Sequence, residues 1–381
     1  MKNNFSPKAV ILSIGFRPNI GGLETHLTDL TNELKKKYQL LVVTLPPIST
    51  RVSAPMLEND ENLTIWRIPW FGKNLFHRLL NYPLLEFFYL TPPLFAGLLI
   101  ALIKYPSIEV VHVQGISGIV AGGVLSKLFG KRVLISMQFV FHFKKNFFGW
   151  FSKQMLNIAD RVLCVSLASE QEVRELGIPE SKIGKCAYWI DLDVFKPTDK
   201  RVAKDKLNWE DKFSVLFIGR LIEEKGIGPL LKAVSLLPGQ IQLYIIGDGP
   251  LKEEIEGVAK KYPNLHFLGK IDNTLTPIFF SAADIVVVPS FEETLGRVSM
   301  EALACKTPVV AASTGGIKEV VDETVGILVD VEAKAIADAI IKLYKDENLY
   351  KRLQQNSRGH IEKLYSNKNA SVFVNEYEIK A

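Results

Sequence analysis

The sequence predicts an α/β protein built from two Rossmann-like, doubly wound domains that face each other across a cleft. Its 381 residues are too many for one ordinary core and suit two domains. Short apolar runs alternate with helical stretches, and such runs are typical of parallel strands that are buried on both faces. The alternation breaks around residues 188–201 and then restarts, so a linker separates two units of the same architecture.

The first predicted domain comprises residues 1–195 and contains five expected strands. Helical stretches from Leu23 to Lys37 and up to Lys127 lie between them. The expected strands are "AVILSIGF" (9–16), "QLLVVTL" (39–45), "IEVVHVQG" (108–115), "KRVLISMQ" (131–138) and "RVLCVS" (161–166).

The second predicted domain comprises residues 196–365. Ligands of doubly wound sheets lie beyond the carboxyl ends of the strands, so we expect a site in the cleft between the two sheets. The expected strands are "FSVLFIGR" (213–220), "IQLYIIGDG" (241–249), "NLHFLGK" (264–270), "DIVVVPS" (284–290), "PVVAAS" (308–313) and "GILVD" (326–330).

Charge and cysteine content narrow the class of protein. The chain carries 46 basic and 41 acidic residues, a net charge of +5 that is too small and too evenly spread to indicate a nucleic-acid partner. It is compatible with an anionic small molecule or an anionic membrane surface. The three cysteines are odd in number and far apart, which fits neither a disulfide framework nor a zinc site. We therefore predict that the protein resides in the reducing environment of the cytoplasm.

The most apolar stretch is "PLLEFFYLTPPLFAGLLIALI", residues 83–103. Glu86, Pro92 and Pro93 interrupt it and leave about ten apolar residues in a row, against the roughly 20 that span a bilayer. A buried helix is the favoured interpretation, and an interfacial patch is the alternative. We recognise no secretory signal at the start of the chain.

Glycines and cations follow two of the predicted strands. Gly21 and Gly22 stand between strand and helix, where backbone N–H groups and the helix dipole favour a phosphate, although an ordinary tight turn explains them equally well. Arg220 and Lys225 follow the strand at 213–220 and suit one diphosphate. The alternative for these cations is a solvated loop in which they pair with the neighbouring acids of "LIEEKG".

Two carboxylates flank the predicted start of a helix near Leu295 or Gly296. Glu293 lies in the preceding loop, and Glu301 lies about five residues inside the helix. Carboxylates accept hydrogen bonds from hydroxyl groups, so Glu301 suits a ribose and Glu293 a transferred sugar. The alternatives are a structural Glu301 that caps the "STGG" turn and a Glu293 that complements the helix dipole.

Several motifs, in order along both halves, resemble the retaining GT-B glycosyltransferases of family 4. The likeness runs from Gly21 to about Asp330, and the pair of acids in Glu-x(7)-Glu is its most specific part. The motifs are "GGLETH", "GRLIEEKG", "GDGP", "EETLGRVSMEALA" and "TPVVAASTGGIKEVV".

The resemblance implies transfer of a hexose from a UDP- or GDP-linked sugar to a glycan or lipid-linked acceptor, with retention and without a metal or other cofactor. Arg220 and Lys225 would neutralise the diphosphate, Glu301 would bind the ribose, and Glu293 with Thr294 would contact the donor sugar. The other residues it implies for the diphosphate are Gly21, Gly22, Leu295, Gly296, Arg297 and Val298.

The catalytic candidates are Glu293, Gln138 and His142. The family commonly has a histidine at the end of the strand that holds Gln138 here, and His142 stands four residues further on. Glutamine can donate a hydrogen bond to a sugar but cannot take a proton. For His112, a hydrogen-bonded histidine at a strand end is the favoured interpretation.

Two other functional classes compete with the transferase. Gln138 motivates a catalytically silent homologue that binds a nucleotide sugar as a sensor or assembly partner. A Rossmann oxidoreductase is disfavoured because the G-x-G-x-x-G fingerprint is missing. "DLD" at residues 191–193 lies in the linker, where Asp191 is expected to cap local backbone rather than to bind a metal.

The acceptor side of the sequence combines apolar and basic residues. The stretch 137–153 mixes aromatic side chains with Lys144, Lys145 and Lys153, which suits an anionic membrane surface; a loop folded over the cleft is the alternative. We therefore expect a cytoplasmic protein that binds peripherally at the inner face of a membrane. Residues 366–381 resemble the family's terminal helix, which crosses back to the first domain.

Overall fold

The computed structural model divides the chain into two compact units. Unit 1 comprises residues 1–188 and 369–381, and unit 2 comprises residues 189–368. The described residues are 5–19, 21–47, 53–71, 75–79, 82–138 and 147–378.

The first part of unit 1 ends seven residues before the predicted domain boundary at 195, because the linker residues after 188 pack on unit 2. The backbone N–H of Ile190 donates to the carbonyl of Tyr365 over 2.9 Å, and the ring of Phe195 lies 6.3 Å from that of Phe280. Residue 368, rather than 365, ends unit 2.

Unit 1 is built on an eight-stranded sheet in the order β3-β4-β2-β1-β5-β6-β7-β8. All neighbours are parallel except β3, which is antiparallel to β4. The strand order reverses between β1 and β5, and this is the topological switch point of the sheet. The strands are β1 (Ala9–Leu12), β2 (Leu40–Thr44), β3 (Leu57–Asp60), β4 (Leu63–Arg67), β5 (Val110–Gln114), β6 (Arg132–Met137), β7 (Arg161–Cys164) and β8 (Ile183–Lys185).

Helices on this sheet cover strands that are buried along their length, as in β1, β2 and β5. All five strands predicted for this half are present. The helices of the first 188 residues are α1 (Gly22–Leu34), α2 (Leu75–Leu79), α3 (Pro83–Lys104), α4 (Ile119–Leu128), α5 (Phe147–Ile158) and α6 (Leu167–Glu175).

Helix α3 corrects the expectation that prolines divide the apolar stretch. It runs unbroken for 22 residues through Pro92 and Pro93. Gly97 lets it lie close to the sheet, because a Cβ at this position would stand 2.8 Å from Cγ1 of Val43. The segment Leu85–Lys104 is long and apolar enough to cross a membrane by length and composition, and half of its apolar window is buried in the protein.

Unit 2 is built on a six-stranded parallel sheet in the order β11-β10-β9-β12-β13-β14. Its switch point lies between β9 and β12. All six predicted strands are present: β9 (Phe213–Ile218), β10 (Ile241–Ile246), β11 (Leu265–Gly269), β12 (Ile285–Val288), β13 (Val309–Ala312) and β14 (Gly326–Val329).

Helices also surround the sheet of unit 2, and a 3₁₀ turn, Glu223–Lys225, follows β9. The helices are α7 (Lys200–Leu207), α8 (Ile227–Val234), α9 (Lys252–Ala259), α10 (Thr276–Ala282), α11 (Arg297–Ala304), α12 (Ile317–Val320), α13 (Ala333–Lys345) and α14 (Glu347–Leu364).

The last helix, α15 (Lys368–Tyr377), packs within unit 1. Phe373 and Tyr377 are both buried on one face of it, as their spacing of four residues predicts. Glu376 pairs with Arg161 of β7 over 2.9 Å. The final segment thereby completes the core of the unit that contains the first strands.

Candidate functional site

The switch point of the unit 2 sheet brings two loops together. The central strands β9 and β12 pair directly, with Val286 opposite Leu216. Because they are parallel, their carboxyl ends meet at the same edge of the sheet. The loops at residues 219–226 and 289–296 follow these strands, so most of the predicted donor-binding residues lie at this edge.

Lys225 and Glu293 form an ion pair between these two loops. Nζ of Lys225 lies 2.5 Å from Oε2 of Glu293, and the hydroxyl of Ser290 lies 3.4 Å from the same oxygen. Both charged side chains keep about a fifth of their surface exposed, 21% and 22%. Lys225 therefore has a partner in the second loop, and among the described residues it forms no pair with Glu223 or Glu224.

Arg220 lies directly after the turn that ends β9, and its side chain is exposed. Its guanidinium forms no ion pair with any carboxylate in the described part of the chain. A planar fork of donors at the carboxyl end of a central strand is suited to bind an anion such as a diphosphate.

Close backbone contacts fix the two loops against each other. Gly226 has φ of +70°, and a Cβ on it would stand 1.9 Å from the carbonyl oxygen of Pro289. The N–H of Phe291 donates to the carbonyl of Glu224 over 2.9 Å. A side chain at 226 would separate the loops, so this position requires glycine.

The turn at residues 313–316 holds the second loop from its other side. The N–H of Gly316 donates to the carbonyl of Glu293 over 2.9 Å, and Thr314 Oγ1 donates to the carbonyl of Ser290 over 2.8 Å. A Cβ on Gly316 would lie 1.8 Å from the carbonyl oxygen of Thr294. The turn therefore positions the backbone of residues 290–294.

Helix α11 begins at Arg297, and Gly296 is its N-cap with φ of +77°. No side chain caps the first turn, and the N–H of Ser299 donates back to the carbonyl of Gly296 over 2.9 Å. The positive end of a helix favours an anion at this position. Leu295 is buried, and Thr294 and Val298 are partly exposed.

The buried guanidinium of Arg297 donates from Nε to Oε1 of Glu301 over 2.9 Å, one turn along α11. Glu301 thus has a partner within its own helix. Charge-assisted hydrogen bonds of this kind orient a carboxylate.

The "GDGP" turn serves packing. Its N-terminal glycine, Gly247, would place a Cβ 2.0 Å from the carbonyl oxygen of Gly219, and Gly249 would place one 2.5 Å from that of Leu221. The N–H of Leu221 also donates to the carbonyl of Asp248 over 2.9 Å. These glycines let the turn support the loop that carries Arg220.

In unit 1, Gly21 is the N-cap of α1 and Gly22 is its first residue. A Cβ on Gly21 would stand 2.4 Å from a carboxylate oxygen of Glu24, whereas the space beside Gly22 is open within 4 Å. The acid in the first turn complements the positive helix end. The proposed phosphate contact of these glycines stays a prediction.

Gln138 follows β6 and lies in a buried chain of hydrogen bonds. Its Nε2 donates to Oε1 of Gln114 over 2.6 Å, and its Oε1 accepts from the hydroxyl of Tyr188. Both polar atoms of the amide thus have protein partners. A catalytic role for Gln138 stays a prediction, and His142, with Lys144 and Lys145, lies outside the described residues.

His112 belongs to the same chain and is fully buried. Its Nε2 lies 2.7 Å from Oγ of Ser136, and its Nδ1 lies 2.5 Å from the hydroxyl of Tyr377. Burial lowers the pKa of His112 to about 3, so the ring is neutral at physiological pH. The prediction of a hydrogen-bonded structural histidine is confirmed.

Two family models match the chain, one on each side of residue 195. The model "Glycosyltransferase Family 4" matches residues 20–193, and "Glycosyl transferases group 1" matches residues 199–360. The chain belongs to the family 4 glycosyltransferases.

Relatives of this glycosyltransferase include D-inositol 3-phosphate glycosyltransferase from Mycobacterium tuberculosis, which is 33% identical over 234 residues. The match covers 58% of this chain and 47% of that protein, so the chain spans about half the length of the curated relatives it matches.

Solved structures with the same fold cover nearly the whole glycosyltransferase. Sucrose-phosphate synthase from Thermosynechococcus elongatus has a TM-score of 0.79 at 23% identity and covers 97% of both chains. Anabaena HepE in complex with UDP has a TM-score of 0.75 at 19% identity, and the match covers 97% of this chain and 98% of the HepE chain. The two parallel-sheet α/β domains are typical of GT-B.

The described residues of the glycosyltransferase contain no group of three or more His, Cys, Asp and Glu side chains placed to hold a metal ion. Asp191 accepts hydrogen bonds from the N–H groups of Asp193 and Val194 over 2.9 and 3.2 Å. It caps local backbone, as the sequence predicts.

Residues that sequence reasoning missed mainly position others. Ser290 and Thr314 hold Glu293 and its loop, and Tyr188 and Gln114 hold Gln138. Each of them ends a strand or follows one within three residues, and the sequence carries no further signal of which candidate residue it holds.

Proposed function

We propose that this glycosyltransferase moves a hexose from a nucleotide-diphosphate sugar to a glycan or lipid-linked acceptor, with retention of anomeric configuration. The observation that carries the proposal is the group formed by Arg220, Lys225 and Glu293 beside the uncapped start of α11. Two cations, a helix end and a carboxylate match a diphosphate that bears a sugar.

The charge distribution suits the departure of a nucleoside diphosphate. Negative charge grows on the diphosphate as the bond to the sugar breaks, and fixed cations stabilise that charge more in the transition state than before it. Arg220, Lys225 and the first N–H groups of α11 would supply this stabilisation. On this proposal the protein's own cations carry the role that Mg²⁺ has in other transferases.

The two acids would bind hydroxyl groups on either side of the diphosphate. Glu301, oriented by Arg297, would accept from the ribose, and Glu293 would accept from the transferred sugar. Backbone groups from Thr294 to Val298 would hold phosphate and sugar, because the loop is fixed by Gly226 and Gly316. HepE was solved with UDP and with UDP-glucose, which makes UDP the first nucleotide to test.

We propose that the acceptor is reached at a membrane surface, on the cytoplasmic side. Helix α3 exposes an apolar stripe that consists of Leu85, Phe88, Pro92, Ala96, Ile100 and Ile103. Helices α3, α4 and α5 carry three lysines, at 104, 127 and 153, and one acid, Glu86, whose pKa is raised by burial. Apolar side chains with a basic surround suit an anionic lipid surface.

A reducing compartment is consistent with the cysteines, which are all buried free thiols. Burial raises the pKa of Cys164 to about 12, so this thiol is unreactive. The protein, with its free thiols, would then be in the cytoplasm together with its nucleotide-sugar donor.

Titration with UDP, GDP and ADP tests the donor site through thermal stability. We expect one nucleotide to raise Tm by several degrees, since binding to the folded state stabilises it. Arg220→Ala and Glu301→Ala should remove most of that shift, whereas Lys232→Ala, an exposed lysine in the last turn of α8, should keep it. Absence of a shift with every nucleotide would contradict the proposal.

Turnover distinguishes the transferase from a catalytically silent homologue. The sugar conjugate of the best nucleotide is incubated with the protein, and release or transfer of the sugar is measured. Turnover that is lost in Glu293→Ala supports the transferase. Binding without any turnover would favour the sensor or assembly partner, which Gln138 and its buried hydrogen bonds allow.

A further inference from the structure

Lys225 and Glu293 have different proposed ligands, yet in the structure they bind each other. Nζ of Lys225 lies 2.5 Å from Oε2 of Glu293. A diphosphate that binds Lys225 therefore competes with this carboxylate for the ammonium group. Glu293 is an internal competitor for the cation that the donor needs.

The backbone that carries this carboxylate is fixed beside the cation site. The backbone of Glu293 is held by the N–H of Gly316, and its loop is held against Gly226 by the contact at Pro289. The oxygen that contacts Lys225 also has Ser290 within 3.4 Å. A bound diphosphate would consequently lie close to a carboxylate that has lost its cation, which is unfavourable unless another donor replaces the lysine.

We propose that the Lys225–Glu293 pair determines specificity for the sugar nucleotide over the nucleoside diphosphate product; this rests on the proposed function. The intact donor brings a sugar hydroxyl, which donates to Glu293 once Lys225 has moved to the phosphates. The product brings no hydroxyl to that position. Glu293 then competes with the product for Lys225, and this competition favours release of the product.

The test measures how tightly the wild type and Glu293→Gln bind UDP and UDP-glucose. If GDP or ADP stabilises the wild type better than UDP, that nucleotide and its sugar conjugate replace UDP and UDP-glucose. Removal of the competing charge should make the nucleoside diphosphate bind about two- to fivefold tighter, the range expected for a partly exposed ion pair. The sugar nucleotide should gain less, because it loses a charged acceptor for its hydroxyl. The affinity ratio of sugar nucleotide to diphosphate should therefore fall.

Glu224→Gln is the matched control. It removes the same charge one residue from Lys225, from an exposed side chain that forms no ion pair with Lys225. We expect it to leave the affinity ratio unchanged. An equal gain in Glu224→Gln would show a general charge effect and overturn the proposal.

The variant Lys225→Met removes the contested cation. In this background, Glu293→Gln should give little further gain in diphosphate affinity; a full gain would overturn the role of the pair. If the wild type binds diphosphate and Glu293→Gln binds it no tighter, this inference fails alone. If the wild type binds no nucleotide, the proposed function itself fails. Thermal unfolding without ligand verifies that each variant is folded.

Discussion

At the scale of single residues, His112 shows how a fold can use a histidine without titrating it. The ring is buried between Ser136 and Tyr377, which contact its two nitrogens. Burial disfavours the charged form, and no carboxylate appears among these partners to compensate. His112 therefore stabilises the fold only in its neutral state.

Stability should fall in acid because of this residue. The pKa of His112 is about 3 in the folded protein against an ordinary value of 6.5, so the unfolded chain binds a proton first. The contribution of His112 to the free energy of unfolding is complete above pH 6.5 and is lost as the pH falls towards 3. Between pH 8 and pH 5 we expect a loss of about 2 kcal/mol in the free energy of unfolding.

Urea denaturation at several pH values, followed by tryptophan fluorescence, measures this loss. His112→Gln keeps polar atoms in the site but cannot titrate, so its free energy of unfolding should vary less over the same range. Equal pH dependence in both proteins would show that other groups control acid stability.

At the scale of elements, α3 is apolar on two opposite faces. Leu90, Leu94 and Leu98 are buried against the core, while Phe88 and Ile103 on the other face are 68% and 62% exposed. At 3.6 residues per turn the exposed side chains form one continuous face of the helix. An exposed apolar face of this kind suits the membrane contact that we propose.

Removal of the stripe should weaken membrane binding. Phe88→Ser with Ile103→Ser removes two side chains whose burial in lipid stabilises by roughly 1.5 kcal/mol each, so binding should fall by about a hundredfold. Sedimentation with anionic liposomes measures it. Leu236→Ser, an exposed leucine of unit 2, is the control and should bind normally. Unchanged sedimentation of the double variant would rule out the stripe as the lipid contact.

The sequence predicts most elements because parallel strands are apolar along their length. Eleven expected strands are present, while β3, β4 and β8 were missed. Strand β3 reads "LEND" and alternates between exposed and partly buried residues at the sheet edge, and β8 has three residues. Such short edge strands form through pairing with a neighbour, which local sequence does not record.

At the scale of the whole molecule, two units have separate cores. One core cluster gathers residues such as Val10 and Leu94, and the other gathers residues such as Val215 and Leu243. The candidate donor residues Arg220, Lys225, Glu293 and Glu301 all belong to unit 2.

Residues 189–368 should therefore fold when expressed alone and bind the same nucleoside diphosphate as the full chain. Circular dichroism melting with and without that nucleotide measures both properties. Residues 1–188 should be less stable alone, because they lack the buried side chains of Phe373 and Tyr377. A non-cooperative melt of the 189–368 fragment would contradict this independence.

Side-chain pairing limits what the sequence reveals about the site. Strand ends place Lys225 and Glu293 at one edge, but their ion pair joins residues 68 positions apart and depends on two loops held by glycines. The hydrogen bond between Tyr188 and Gln138 spans 50 positions. Contacts of this range are determined by tertiary packing, so the candidate residues were predictable and their partners were not.

The chain passes between the units twice, and the two passages lie side by side. The Nδ2 of Asn369 donates to the carbonyl of Tyr188 over 2.9 Å, and two residues further along the N–H of Ile190 donates to the carbonyl of Tyr365. Unit 2 is thus an insert with neighbouring ends, and loops between neighbouring ends tolerate the exchange of what they carry. On the proposed function, a corresponding unit from another member of the family could be grafted between residues 188 and 369, which would change the donor and keep the remainder of the chain.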